Sequence, residues 1–431
     1  MSRVFRRPRL GPALVAFLAL ACASASAAKF PAARPQDVGL SAERLDRLGA
    51  VIEQYVGAGK VPGAVVLVVR DGKAAYFRSF GKLDLGRGTP MPLNGIFRIA
   101  SQSKAVTSVA VMTLVEEGRI GLSDRVSKFI PEFKETRVAL QAGEKGATGY
   151  SVVPAKREIT IRDLLTHTAG ISYGDGPAAD LYKAAGVQGW SFVSKDVPIG
   201  DCIRKLAGLP FDAQPGESWV YGFNIDILGY VVEVVSGMSL ADYIAKRITG
   251  PLGMTDTHFF LPEASLGRFA SVYGVGKDGK LELVEDAVDS PYLKGPRRCY
   301  SGGAGLLSTA EDYARFLQML ANGGELDGVR VLGPKTVEVM TVNQVGDLYG
   351  TRGQGFGLGF WVTSDVGKTG EMGSVGAFGW GGAYYTTYWV DPAERLVAVF
   401  MTQLLPAGGL DLQAKFKTLV YQSIVDSHER R

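Results

Sequence analysis

Ser101 and Lys104 form an S-x-x-K motif at the start of an apolar helical pattern. Residues three apart on a helix share a face, so the lysine amine can reach the serine hydroxyl. A serine becomes a strong nucleophile when an adjacent base removes its proton, and a lysine held neutral by its surroundings can be that base. By itself the motif fits two interpretations, a catalytic pair or an N-cap serine followed by a solvated lysine.

Tyr221 stands just before a second apolar helical pattern, which begins at Ile225. A tyrosine at a helix entry can place its hydroxyl in a cleft. A neighbouring cationic lysine would lower the pKa of that hydroxyl, which suits proton transfer. A structural tyrosine is the competing interpretation of this position.

Trp380, Gly381 and Gly382 precede a strand-like run that starts at Ala383. Paired glycines before a strand allow a close approach between backbone and ligand. A backbone N–H here, together with that of Ser101, is predicted to form an oxyanion hole, aided by the dipole of the helix behind the serine. The competing interpretation is a glycine bend packed by a tryptophan.

Two other motifs have the letters of catalytic sites but the wrong surroundings. Residues 170–174 spell G-x-S-x-G around Ser172, yet a helix pattern precedes them and a Gly/Asp/Pro loop follows, whereas a nucleophile elbow needs a strand first. Lys368 begins a K-T-G triplet that is followed by turn composition rather than by a strand. We therefore expect Trp380, and not Lys368, to line the cleft.

The surrounding pattern is helix, two strands, helix, a long and mostly helical stretch, three strands and a closing helix. The last three strands are predicted at residues 356–363, 383–390 and 396–402. This order predicts an α+β fold, an antiparallel sheet flanked by helices with a helical lobe inserted between its halves. The expected α/β lobe comprises residues 28–125 and 300–431, and the inserted lobe comprises residues 126–299.

The first 27 residues have the form of a signal peptide: arginines, an apolar run and the Ala25-Ser26-Ala27 cleavage pattern. Removing 27 of the 431 residues leaves 404, and because four arginines and no acid are lost, the formal charge falls from +4 to 0. We expect a periplasmic or secreted protein, with lipidation at Cys22 the less favoured alternative. The neutral balance predicts no nucleic-acid partner, and no later stretch is long enough for an integral membrane span.

Cys202 and Cys299 are the cysteines that remain after cleavage, and they can pair or stay as buried thiols. The three histidines are scattered and form no zinc-binding cluster. The sequence therefore predicts neither a metal nor a cofactor.

Four segments together resemble the serine-dependent β-lactamase superfamily, which includes class C β-lactamases, DD-peptidases and esterases. They are residues 98–104 (RIASQSK), 164–170 (LLTHTAG), 251–257 (PLGMTDT) and 302–309 (GGAGLLST). The resemblance extends from about Val38 to Val425. It implies that Ser101 is the acylated nucleophile and that Lys104 and Tyr221 move its proton.

Two positions depart from the β-lactamase pattern. Where the superfamily usually has Y-x-N, Phe223 takes the third place and Asn224 is displaced by one, so its amide is only a candidate substrate-binding group. Trp380 stands where K-T-G begins, which removes the cation that would pair with a β-lactam carboxylate. The resemblance is therefore greatest to the esterase branch.

We expect a secreted carboxylesterase that acts on short or medium acyl esters, with a small-molecule ester or amide as its partner. The alternatives are a β-lactamase or DD-peptidase, and a non-catalytic protein that binds cell-wall peptide. The expected substrate-binding groups are Trp380, Gly381, Gly382, Ala383 and Asn224.

Overall fold

Residues 30–141 and 149–428 are described by a computed structural model of the chain. The expected leader, residues 1–27, lies outside this part. The described α-helices are α1 (Ala42–Gly57), α2 (Ser103–Glu116), α3 (Ile161–Leu165), α4 (Ala179–Ala184), α5 (Ile199–Ala207), α6 (Asn224–Ser236), α7 (Leu240–Ile244), α8 (Pro291–Lys294), α9 (Ala310–Ala321), α10 (Pro334–Met340), α11 (Val366–Thr369) and α12 (Leu412–Tyr421).

The described strands include a large group from both ends of the chain and several short pairs between them. They are β1 (Gly63–Arg70), β2 (Lys73–Asp84), β3 (Thr89–Pro90), β4 (Phe97–Arg98), β5 (Arg137–Gln141), β6 (Tyr150–Pro154), β7 (Val272–Val275), β8 (Leu281–Glu285), β9 (Leu307–Ser308), β10 (Glu325–Leu326), β11 (Val329–Arg330), β12 (Gln354–Phe356), β13 (Trp361–Thr363), β14 (Phe378–Gly382), β15 (Thr386–Asp391) and β16 (Leu396–Met401).

The main sheet has eight strands in the order β12-β13-β14-β15-β16-β1-β2-β3, and all neighbouring pairs are antiparallel. Every residue of β1 is buried, because helices cover both faces of the sheet at this strand. Val65, Leu67 and Val69 face one core, which contains α2 and α9. Val66 and Val68 face the second core, which contains α1 and α12. The predicted α+β class with a helix-flanked antiparallel sheet is confirmed.

Helix starts follow the capping residues of the sequence. The Ser41 side chain accepts the N–H of Arg44 at the start of α1. At α3, Thr160 and Asp163 form a reciprocal capping box. These contacts satisfy N–H groups that have no partner in the first turn of a helix.

The structure differs from the predicted strands in two places. The run predicted as one strand, 356–363, is β12, a turn and β13. Gly359 in that turn has φ +101°, and a Cβ there would lie 2.5 Å from Ser108 Oγ. The mostly helical stretch 126–299 also contains two hairpins, β5–β6 and β7–β8. One strand of each hairpin, β6 and β8, is largely exposed and so lacks the apolar run that marks a buried strand.

Within residues 30–141 and 149–428, no single helix has the length and apolar character of a membrane span. One bent pair, Asn224–Ser236 and Leu240–Thr249, meets those criteria jointly across an 81° bend.

Candidate active site

Ser101 lies where a short strand turns into a buried helix. The strand β4 pairs with β9, and a single 3₁₀ turn, Ala100–Gln102, connects it to α2. The helix predicted to begin at Ser101 therefore begins at Ser103, and Ser101 itself lies in the 3₁₀ turn. Ala100 has φ +41°, an uncommon backbone conformation for a residue other than glycine.

Lys104, one turn further on, is 2% exposed, and its amine has three polar neighbours. Its Nζ lies 3.3 Å from Ser101 Oγ, 2.9 Å from the hydroxyl oxygen of Tyr173 and 2.9 Å from the carbonyl oxygen of Gly303. The structure thus brings the two residues of the S-x-x-K motif together. The amine is held by acceptors on two other parts of the chain.

A buried carboxylate fixes the loop that carries Gly303. Asp226 Oδ1 accepts the Ser301 hydroxyl at 2.6 Å and the Gly303 N–H at 3.1 Å. Burial raises the pKa of Asp226, while the nearby Lys104 and these two hydrogen bonds lower it. Asp226 therefore acts on Lys104 in two ways: through its charge, and through its hydrogen bond to Gly303, whose carbonyl oxygen accepts the Lys104 amine.

Tyr173 is a site residue that the sequence did not predict. Its ring stands edge-on to that of Tyr221, with centroids 5.6 Å apart. Burial raises the pKa of the Tyr173 hydroxyl well above its usual value, with added contributions from Tyr221 and Asp226. Tyr173 belongs to the G-x-S-x-G segment, where the motif draws attention to Ser172. That serine is 4% exposed, and its Oγ accepts the N–H of Gly174.

Tyr221 and Trp380 meet beside the amine. The indole Nε1–H of Trp380 donates to the Tyr221 hydroxyl at 3.1 Å. Lys104 Nζ lies 4.7 Å from the centroid of the Tyr221 ring. An aromatic face attracts positive charge, so the Tyr221 ring is placed to interact with the Lys104 amine.

The glycine pair is arranged differently from its prediction. Trp380, Gly381 and Gly382 are the last residues of β14 rather than the approach to a strand, and Ala383 lies in the turn between β14 and β15. The predicted strand 383–390 is therefore wrong over its first three residues. Tyr385 in this turn has φ +64°, a left-handed conformation that the two neighbouring tyrosines in the sequence do not predict.

A pocket of about 590 Å³ opens at Ser101. None of the described residues that line it carries a formal charge. They are Ser101, Tyr173, Trp190, Tyr221, Trp361, Trp380, Gly381, Gly382, Ala383, Thr386, Thr387 and Gln413. A larger cavity, of about 680 Å³, is lined by other residues around Tyr421 and Asp426 and does not include the serine. Ser101, aromatic walls and the two backbone segments that the sequence predicts as an oxyanion hole thus meet in one place.

With this geometry, comparison with known proteins gives the family. A sequence model of the β-lactamase family matches residues 48–421. The chain belongs to the β-lactamase family. Its predicted membership of the serine β-lactamase and penicillin-binding-protein superfamily is confirmed.

The β-lactamase-family chain is 35% identical over 389 residues to Protein Rv1367c of Mycobacterium tuberculosis, covering 86% of this chain and 92% of that one. It is 32% identical over 392 residues to esterase EstB of Burkholderia gladioli, covering 86% and 93%. Among solved structures it is similar to EstCE1, described as a hydrolase with promiscuous acyltransferase activity, at 27% identity and TM-score 0.75, covering 88% of this chain and 98% of that one.

Two positions expected from the β-lactamase pattern lie outside the pocket lining. Lys368 is 72% exposed on α11 and pairs with Asp365. Asn224 is fully buried, its amide nitrogen 2.9 Å from Nδ1 of His167 and 3.2 Å from the carbonyl oxygen of Ile171. The structure therefore corrects the expectation that Asn224 binds substrate, because its place at the start of α6 turns the amide inward. Burial, with Lys104 nearby, lowers the pKa of His167 well below its usual value.

Proposed function

We propose that this protein is a carboxylesterase that forms an acyl-enzyme at Ser101. The observation that carries the proposal is the contact of Ser101 with the buried Lys104 amine at the floor of an uncharged, aromatic pocket. A carboxylate-bearing β-lactam or peptide would find no cation among the described lining residues. An uncharged ester loses little hydration on entering such a pocket, since it has no charge to desolvate.

In the proposed reaction, Ser101 Oγ attacks the ester carbonyl while its proton passes to Lys104 Nζ. The carbonyl oxygen becomes an oxyanion at the N–H groups of Ser101 and Ala383. The carbon–oxygen bond to the alcohol then breaks, and the alcohol takes a proton delivered through Tyr221. Water attacks the acyl-enzyme in the second half, with the same residues moving the proton in reverse order.

The acceptors around Lys104 have a role in this sequence. When the amine takes up a proton, its hydrogen bonds to Tyr173 and Gly303 become charge-assisted and therefore stronger. An interaction that strengthens along the reaction lowers the barrier, whereas one that is equal throughout does not. This arrangement supports Lys104 as the group that receives the proton.

A panel of substrates tests the proposal. p-Nitrophenyl acetate and butyrate should give a burst of nitrophenol equivalent to the enzyme, followed by slower turnover, and Ser101→Ala should lose at least ~10³ in rate. A fluorophosphonate probe should label wild type and not Ser101→Ala. Nitrocefin hydrolysis that depends on Lys368 would favour a β-lactamase instead. Failure of both turnover and labelling would favour a non-catalytic binding protein.

We further propose that the protein is periplasmic or secreted. The support is the sequence of residues 1–27, which has the three regions of a signal peptide. The intact mass of protein recovered from the periplasm or medium should correspond to a chain that begins at Ala28. A mass that includes residues 1–27, or a lipid on Cys22, would contradict cleavage after Ala27.

A further inference from the structure

The two backbone segments expected to receive the oxyanion touch each other directly. A Cβ on Gly382 would lie 2.4 Å from the carbonyl oxygen of Ile99, so these segments approach without a side chain between them. Each segment also contains a non-glycine residue at positive φ, Ala100 before the nucleophile and Tyr385 after Ala383. Such conformations persist only where the surroundings hold them in place.

The side chain of Gln403 holds the segment that leads to Ser101. Its Oε1 accepts the backbone N–H of Arg98 at 3.0 Å, and its Nε2 donates to the carbonyl oxygen of Arg98 at 3.0 Å. The side-chain amide thus pairs with both backbone groups of Arg98, as a neighbouring strand would, while β9 pairs with its other edge. Gln403 is 1% exposed, so water does not compete with these bonds.

The next residue along the chain holds the second segment. The N–H of Leu404 donates to the carbonyl oxygen of Tyr384 at 3.1 Å, one residue beyond Ala383. Gln403 and Leu404 therefore connect two parts of the chain that are far apart in sequence. Both parts must keep one relative position if their N–H groups are to meet the same oxygen atom.

We propose that Gln403 is a positioning residue for both acylation and deacylation, because it aligns the backbone of Ser101 with that of Ala383 for the oxyanion that forms in each half-reaction; this inference rests on the proposed function. Gln403 is buried and does not line the pocket, so it acts through Arg98 and not on the substrate. The Arg98 guanidinium also donates to Gln403 Oε1 at 3.2 Å, but the carbonyl oxygen of Ala270 at 2.6 Å and Glu285 hold it independently of Gln403. Removal of the Gln403 amide therefore leaves β4 anchored but frees its peptide to rotate.

Gln403→Met tests this role, because methionine has a similar length and makes none of the amide's hydrogen bonds, which are those to Arg98 and one to the carbonyl oxygen of Thr402. With p-nitrophenyl butyrate we expect kcat to fall at least ~10-fold, as partial misalignment forfeits part of the 10²–10³ that one oxyanion donor provides. KM should stay within about 3-fold, because the pocket walls are unchanged. The rate of fluorophosphonate labelling should fall in parallel with kcat.

Thr402→Val is the matched control. Thr402 is the neighbouring buried residue, and its hydroxyl donates to the carbonyl oxygen of Gly63 at 2.7 Å, away from the nucleophile. This variant should lose thermal stability comparably and keep wild-type kcat. Both proteins are assayed at least about 15 °C below their melting temperatures, so that unfolding does not contribute. Should Gln403→Met fail to fold, Gln403→Glu keeps an acceptor for the Arg98 N–H, loses the donor, and is expected to lose kcat in the same way.

Wild-type kcat in a folded Gln403 variant, or an equal loss of kcat in Thr402→Val, overturns the inference. The proposed function is judged on the wild type alone. If wild type hydrolyses esters and is labelled while the Gln403 variants match it, only the positioning role fails. If wild type does neither, the proposed function fails and the positioning role falls with it.

Discussion

Tyr173→Phe removes one hydroxyl and leaves a ring of the same shape. In wild type that hydroxyl oxygen accepts the Lys104 amine at 2.9 Å, the same distance as the carbonyl oxygen of Gly303. In the proposed reaction the amine becomes an ammonium, and hydrogen bonds to a charged group contribute about 1.5–3 kcal/mol where neutral ones contribute about 0.5–1.5. The variant should therefore lose ~1–1.5 kcal/mol of differential stabilisation.

This difference corresponds to a fall of about 5- to 13-fold in the rate constant for acylation at 25 °C. Single-turnover measurement of the nitrophenol burst reports the acylation step directly. Tyr182→Phe is the matched control, because that buried hydroxyl donates to the carbonyl oxygen of Pro210 and does not contact Lys104. The control should stay within about 2-fold of wild type. A Tyr173→Phe burst rate equal to wild type, or an equal loss in the control, would refute the reasoning about Lys104.

Further predictions concern the proton pathway, the tryptophan and a buried acid. Lys104→Ala should lose at least ~10³ in rate and Tyr221→Phe on the order of 10²–10⁴, measured as kcat/KM on p-nitrophenyl butyrate. Trp380→Phe removes the N–H that orients Tyr221 and should lower kcat by about 2- to 13-fold, whereas Trp361→Phe, in the same pocket, should change mainly KM. Burial raises the pKa of Asp312 to about 7, so the folded state binds its proton more tightly than the unfolded chain. The free energy of unfolding of wild type therefore falls as pH rises from about 4 to 7. Asp312→Asn should have the higher free energy of unfolding of the two proteins between pH 5 and 8, by on the order of 2 kcal/mol in calorimetry. A difference between the two proteins that does not vary with pH would contradict the shift.

The contact between Ser101 and Lys104 could be predicted because the two residues are three positions apart in the sequence. Spacing along one turn fixes both side chains on one face, and the buried helix that follows is visible as an apolar run. Trp380 was expected in the cleft because it leads into a strand-like run, whereas Lys368 leads into turn composition, and Trp380 lines the pocket. These inferences need only local geometry.

Tyr173 could not be predicted in the same way, because its contact with Lys104 joins residues that are 69 positions apart. No local pattern distinguishes it from a structural tyrosine. The prediction for Asn224 was wrong for a local reason. A displacement of one position at a helix start rotates a side chain by about 100°, which is enough to turn it from a cleft into the interior. The turn at Ala383 was missed because its residues, Ala-Tyr-Tyr, are typical of a strand.

The pairing of β1 with β16 has a consequence for biosynthesis. These neighbours in the sheet are separated by more than 300 residues, with Val65 opposite Met401. Contacts of such long range form late and slowly, since a large loop must close first. A nascent chain leaving the ribosome carries Ser101 about 300 residues before β16 and well before β14, which bears Trp380. The pocket at Ser101 can therefore be completed only after the chain has been made as far as β16, which ends at Met401.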